Sequence, residues 1–189
     1  MFIQTEGTPN PATLKFLPGR DVMSAGLGPM EFSKGDDVNS VPLAEMLFSI
    51  PGIERVFFGQ DFISITRGAQ HDWPRLKPAV MGAIMDYYVA GGDVITGATR
   101  TDVAEEYEGE TLEIVEQIIE LIETRVRPAV AQDGGDILFK RFDVKTGDVY
   151  LQMKGACAGC PSSSMTLKSG VENLLKHYVP EVSQVIEAF

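Results

Sequence analysis

Cysteine occurs only twice in the 189 residues, at Cys157 and Cys160, and histidine only twice, at His71 and His177. Two cysteines cannot build the disulfide framework of a small secreted domain, so the fold must rest on hydrophobic cores. Positive charge is also scarce: 16 Lys and Arg stand against 27 Asp and Glu, a formal net charge of -11. Phosphate backbones and anionic lipid surfaces repel such a chain, which argues against nucleic acid or a membrane as its main partner. No apolar run approaches the roughly 20 residues that span a bilayer, and no charged-then-apolar leader opens the sequence. These absences predict a reducing cytoplasmic compartment. There, two cysteines three positions apart serve as ligands or as a redox pair, not as a fold-stabilising disulfide.

With 44% hydrophobic and 23% charged residues, the chain can form one large or two small globular domains. Residues 2–5 and 13–17 read as short strands around Gly7-Thr8-Pro9-Asn10-Pro11, a structural turn with no ligand chemistry. Residues 20–40 hold no sustained period and read as a loop with room for one strand. Ser40 is expected to cap a short helix ending at Phe48, and residues 53–58 and 62–66 to form a hairpin around Gly59-Gln60-Asp61. A helix then runs to about Val89, starting at Pro74 or at Pro78, with Leu76, Val80, Ile84 and either Tyr87 or Tyr88 turned to a core. Met81 and Met85 read as core filler.

The apolar pattern lapses over residues 92–110, where Asp93, Asp102, Glu105, Glu106, Glu108 and Glu110 face one basic residue, Arg100. Such a segment buries too little surface to offset its ordering entropy and is expected to be a flexible acidic linker. The predicted domains are therefore residues 1–91, the linker 92–110, and residues 111–189. The second domain opens with Leu112, Val115, Ile119, Ile122, Val126 and Ala129 or Val130 at steps of three and four. That is an unbroken amphipathic helix, with Glu113, Glu116, Glu120 and Glu123 on a solvated face. Asp133-Gly134-Gly135-Asp136 ends it and turns the chain into a strand over residues 137–142. After Lys145-Thr146-Gly147-Asp148, the residues Val149, Leu151 and Met153 alternate with Tyr150, Gln152 and Lys154, the period of a half-buried strand. A second helix places Leu167, Val171, Leu174 and Tyr178 at helical spacing, and residues 182–186 form a last apolar stretch. The fold class expected is α+β: two small mixed α/β domains, the second in the order helix, strand, strand, helix, strand.

The chemistry concentrates in Gly155-Ala156-Cys157-Ala158-Gly159-Cys160-Pro161, between that strand and the second helix. Small residues let both sulfurs turn to one side of the loop, which suits a shared metal centre or a closable disulfide. Pro161 fits a first helical position and Ser162, Ser163 and Ser164 offer capping hydroxyls, so the helix dipole is expected to favour thiolate over thiol. A closed metal site wants four ligands. His177 lies at the far end of the helix, roughly 25 Å away at 1.5 Å per residue, and His71 belongs to the other domain. The missing ligands must come from elsewhere in the chain or from another chain.

Asp133-Gly134-Gly135-Asp136, Gly155-x-Cys157-x-x-Cys160-Pro161-Ser162-Ser163 and Thr166-Leu167-Lys168-Ser169-Gly170-Val171-Glu172 together resemble the C-terminal domain of NifU-type iron–sulfur scaffolds. Met1-Phe2-Ile3-Gln4-Thr5, Thr8-Pro9-Asn10-Pro11 and Leu14-Lys15-Phe16 resemble the N-terminal domain of the Nfu branch. The resemblance implies a scaffold or carrier, not an enzyme, which binds a labile cluster and hands it to apo-proteins. It also implies that the N-terminal domain helps to recognise donors or acceptors. Each chain offers two thiolates and no reachable histidine, while a four-iron cluster generally takes four cysteine ligands. Cys157 and Cys160 are therefore expected to hold a 4Fe-4S cluster between two chains, with a homodimer forming on loading. Partners would be apo iron–sulfur proteins and the upstream assembly machinery. The compartment would be the bacterial cytoplasm or, alternatively, the mitochondrial matrix. Two rival readings of the motif are a thioredoxin-like dithiol oxidoreductase and an interaction module with vestigial metal binding. Against the first, no aromatic residue precedes Cys157 and the domain opens with a helix.

Overall fold

The computed structural model describes the chain except residues 1, 25–27, 94, 96–106, 159–160 and 189, with residues 161–164 described as backbone alone. The chain divides into two compact units, Met1–Arg100 and Thr101–Phe189, each around its own apolar core. Both mix helices and strands, as the sequence predicts.

In the first unit the strands are β1 (Gln4–Gly7), β2 (Thr13–Leu17), β3 (Met30–Ser33), β4 (Ile53–Phe58) and β5 (Ile63–Arg67). They form an antiparallel sheet in the order β1-β2-β5-β4-β3. The Thr8-to-Asn10 turn is structural: the Thr8 hydroxyl donates to the Asn10 carbonyl (2.9 Å), and the Asn10 side-chain oxygen accepts from the Ala12 N–H (3.0 Å). Phe16, Val56, Phe58, Ile63 and Ile65 pack with Leu43, Ala44 and Leu47 of helix α1 (Pro42–Phe48) and with Leu76, Val80, Ile84 and Tyr88 of α2 (Trp73–Val89). Tyr88, not Tyr87, completes the α2 stripe.

Two helix starts differ from expectation. Val41, not Ser40, precedes α1, and no side chain caps it; Pro42 opens the helix and buried Val41 anchors it. α2 starts at Trp73, and Pro78 lies inside it. Trp73 is fixed tertiarily, its ring 6.2 Å from Phe16 and its indole N–H donating to the Pro11 carbonyl (3.4 Å). These contacts hold the first turn, so Pro78 removes only one hydrogen bond near the helix start.

In the second unit, α3 (Glu110–Leu121) leads through a π-turn (Ile122–Val126) into α4 (Arg127–Gln132). The helix predicted as unbroken is therefore interrupted. The Arg127 N–H reaches back five residues to the Ile122 carbonyl. Pro128 has no N–H to give, and the Thr124 hydroxyl donates to the Glu120 carbonyl (2.7 Å); both favour a local bulge. The buried stripe is Val115, Ile118, Ile122, Val126 and Val130, so Ile118 replaces Ile119 at the centre and Ala129 faces outward. Two antiparallel strands follow, β6 (Gly135–Asp143) and β7 (Asp148–Gly155). Helix α5 (Pro161–Tyr178) then crosses to β8 (Gln184–Glu187), which pairs in parallel with β7 in a sheet ordered β6-β7-β8. Val149, Leu151 and Met153 are buried as predicted. On α5 the core positions are Val171 and Leu175, while Tyr178 is exposed beside Arg125 and His177.

Residues 96–106 of the expected linker 92–110 lie outside the described residues. On either side of them the chain is packed. Ile95 is buried in the first core and bridges to Met23, and Tyr107 packs on the second core. The Tyr107 hydroxyl accepts from the Phe142 N–H at 2.8 Å.

Candidate functional site

β7 carries the chain to Gly155, whose φ of 66° turns it out of the sheet. The turn is fixed by the Ala156 N–H on the Gly134 carbonyl and the Ala158 N–H on the Gly155 carbonyl, both 3.1 Å. Gly134, with φ of 78°, reverses the chain between α4 and β6 and aims its carbonyl at that turn. Asp133-Gly134-Gly135 thus forms the floor under Cys157. A Cβ built on Gly135 would lie 2.6 Å from the Lys154 carbonyl oxygen and 2.7 Å from Cys157 Sγ. No larger residue fits without moving the cysteine.

Cys157 sits in the predicted strand-to-helix loop, but its environment is not the predicted one. It is 5% exposed and belongs to the second core. Burial first, then the carboxylates of Asp133 and Asp136, push its thiol up to about 12. The expected thiolate preference from the helix dipole is overturned at this residue, because desolvation and nearby negative charge outweigh a dipole whose effect fades within one turn. This setting is the reverse of the one that activates a dithiol oxidoreductase. A metal would have to draw the proton out on binding. Cys160 lies outside the described residues, and the expected capping by Ser162, Ser163 and Ser164 lies on side chains that are likewise outside them.

Beside this floor lies a part-buried ion cluster that sequence reasoning missed. Asp136 is 6% exposed. Its carboxylate accepts from Arg127 Nε (2.7 Å) and Nη2 (2.5 Å), and also from the Ile137 N–H (2.8 Å). Arg127 Nη1 bonds both oxygens of Glu123 at 2.9 and 2.8 Å. Glu123, its side chain still 38% exposed, stays at the edge of the solvated face assigned to it while pairing inward with Arg127. The only local signal was the spacing of Glu123 and Arg127, one helical turn apart ahead of Pro128; the link to Asp136 is tertiary.

His177 packs on Tyr178 at the far end of α5, and the ring of His71 lies against Gly52 in the first unit. Among the described residues, no three His, Cys, Asp or Glu side chains form a metal-holding group, and no helix is long and apolar enough to cross a membrane.

Comparison with known proteins agrees with this layout. Residues 3–91 match the family described as scaffold protein Nfu/NifU N-terminal, and residues 118–186 match the NifU-like domain. A NifU-like protein of Schizosaccharomyces pombe is 43% identical over 99% of this chain and 72% of its own length. NifU-like protein 5, mitochondrial, of Arabidopsis thaliana is 46% identical over the whole chain and 68% of its own length. The NFU1 iron-sulfur cluster scaffold homolog, mitochondrial, of Drosophila sechellia is 46% identical over the whole chain, which spans 65% of that relative. With both domains matched in order and relatives at this identity across the whole of this chain, the chain belongs to the NifU-like/Nfu family of iron–sulfur cluster scaffold proteins.

Proposed function

We propose that two copies of this chain hold one 4Fe-4S cluster through Cys157 and Cys160 of each, and pass it to apo-proteins. The observation that carries the reading is the placing of Cys157 on the turn between β7 and α5, on a glycine floor that fixes its backbone. Membership of the scaffold family supports it, as does the ligand count, since two thiolates per chain satisfy half of a four-iron cluster. The cluster is cargo. Its release is ligand exchange: an acceptor thiol forms a sulfur–iron bond as a scaffold thiolate leaves, the proton of the incoming thiol passes to the departing sulfur, and the iron valence is unchanged. A cluster held by two ligands per chain at a shared contact exchanges more readily than one caged by four cysteines of a single chain. No turnover of a substrate is proposed.

The acidic segment within residues 92–110 joins the two domains, and the first recognises donors or acceptors. The partners are apo iron–sulfur proteins and the machinery that loads the cluster. Two of the three relatives described above are named as mitochondrial, which favours the mitochondrial matrix over the bacterial cytoplasm as the compartment. The test is anaerobic reconstitution of the full chain, followed by absorption and Mössbauer spectroscopy. A four-iron signature in the wild type that is lost in Cys157→Ser and in Cys160→Ser supports the reading. Normal loading of either variant removes that cysteine from the ligand set.

A further inference from the structure

We infer that Arg127 is a positioning residue for the cluster, compensating the buried carboxylate of Asp136 so that an anionic thiolate-bound cluster is tolerated beside it. The inference rests on the reading of Cys157 as a cluster ligand. Its own basis is geometric. Asp136 directly follows Gly135, the residue whose missing Cβ leaves room for Cys157 Sγ, and Asp136 is almost fully buried. A cluster ligated by four thiolates is an anion, and an unpaired buried carboxylate next to it would oppose its binding.

Arg127 answers both charges at once. Three of its nitrogens are engaged, Nε and Nη2 on Asp136 and Nη1 on Glu123, a rigid fork that lysine cannot reproduce. Its place depends on the π-turn, whose extra residue rotates the chain after Val126 and sets Arg127 at the head of α4, facing β6. Such turns recur at functional sites. An i,i+4 pair with Glu123 alone could form on any helix surface; the added reach to Asp136, nine residues on and on another element, ties the helix to the cysteine floor.

The experiment uses the full chain as wild type, R127Q, R127K, D136N and the double variant R127Q/D136N, each reconstituted anaerobically and kept well below its melting temperature. Loss of the cluster absorption is timed after addition of an iron chelator, and the reduction potential is read on the same samples. R127Q should lose the cluster about tenfold faster, the lower end of the range for changes outside the ligand shell. Its potential should fall, and R127K should lie between R127Q and wild type. The double variant, which strands neither Arg127 nor Asp136, should return toward the wild-type rate and toward the wild-type potential; the potential is the readout that a merely structural role for Arg127 would not move. D136N should hold the cluster at least as long as wild type. A folded R127Q that releases at the wild-type rate overturns the inference, as does a folded double variant as fast as R127Q. Should R127Q fail to fold, the double variant and D136N decide: release faster than wild type by either refutes it. If wild type takes up no cluster, the parent reading falls and this inference with it; if wild type loads and R127Q matches it, this inference alone falls.

Discussion

Gly135 and Cys157 occupy one close-packed contact: the position a Cβ would take on Gly135 lies 2.7 Å from Cys157 Sγ and 2.6 Å from the Lys154 carbonyl oxygen. Real Cβ atoms do not approach backbone oxygen so closely, so Gly135→Ala must displace β7, the cysteine or both. The expected cost to apo stability is about 1–3 kcal/mol, the range for overpacking a tight core. Urea unfolding of the variant would give it, and cluster loading should fall with it. An alanine variant of unchanged stability and loading would show that the floor yields freely.

Cys157 itself is part of the core, so its removal has a price that the sequence did not suggest. Read from the sequence, the loop needs no sulfur for packing, and a serine would leave the fold untouched. The structure buries the side chain, and a hydroxyl left there without a partner costs on the order of 1–3 kcal/mol. Cys157→Ser should therefore lower the denaturation midpoint of the apo-protein, and Cys157→Ala should lower it less, because it strands no polar group. Equal midpoints for serine and wild type would contradict the burial.

Much of the site was legible. The alternation of Val149, Leu151 and Met153 places β7, the glycines of residues 133–136 mark a reversal, and the break before Pro161 sets the cysteines between strand and helix. What escaped has a physical cause in each case. The π-turn hides because apolar steps of three and four absorb one extra residue without disturbing the pattern at Ile122, Val126 and Val130. The partnership of Arg127 with Asp136 and the seating of Trp73 on Phe16 are tertiary contacts that no local window contains. The burial of Cys157 follows from the positive φ of Gly155 and the approach of Gly135, both properties of the assembled hairpin.

Tyr107 lies inside the linker predicted from composition, yet its hydroxyl accepts from the Phe142 N–H and its ring packs on the second core. A fragment of residues 107–189 should therefore fold, and a fragment of residues 111–189 should be less stable by about 1–2 kcal/mol through loss of one hydrogen bond and part of an aromatic contact. Comparing their urea midpoints tests this. A longer fragment no more stable than the shorter would make Tyr107 incidental.

Glu172 ties α5 to β8. Its carboxylate accepts from Lys176 Nζ (2.7 Å) and from the Val185 N–H (3.0 Å). The Lys176 hydrogen bond first, then the Val185 N–H, hold its acid below the usual carboxylate range. A depressed folded-state value means stability that is fully present above the unfolded value and is lost as pH falls through the folded one. Because the pair lies at the surface, with the Glu172 side chain 25% and the Lys176 side chain 41% exposed, solvent screens it, and the expected effect of Glu172→Gln is under about 1 kcal/mol at neutral pH. The gap between variant and wild type should close as the solution is taken into the acid range below the ordinary glutamate value. A gap that persists or widens in acid would assign the effect to packing, not to charge.

The central claim is that two chains share one cluster, and sedimentation of the reconstituted full chain, with iron and sulfide assayed on the same fractions, tests it most directly. The account predicts a dimer carrying about four irons and about four sulfides per two chains, shifted toward monomer when a chelator strips the iron. A monomer carrying all four irons would contradict it.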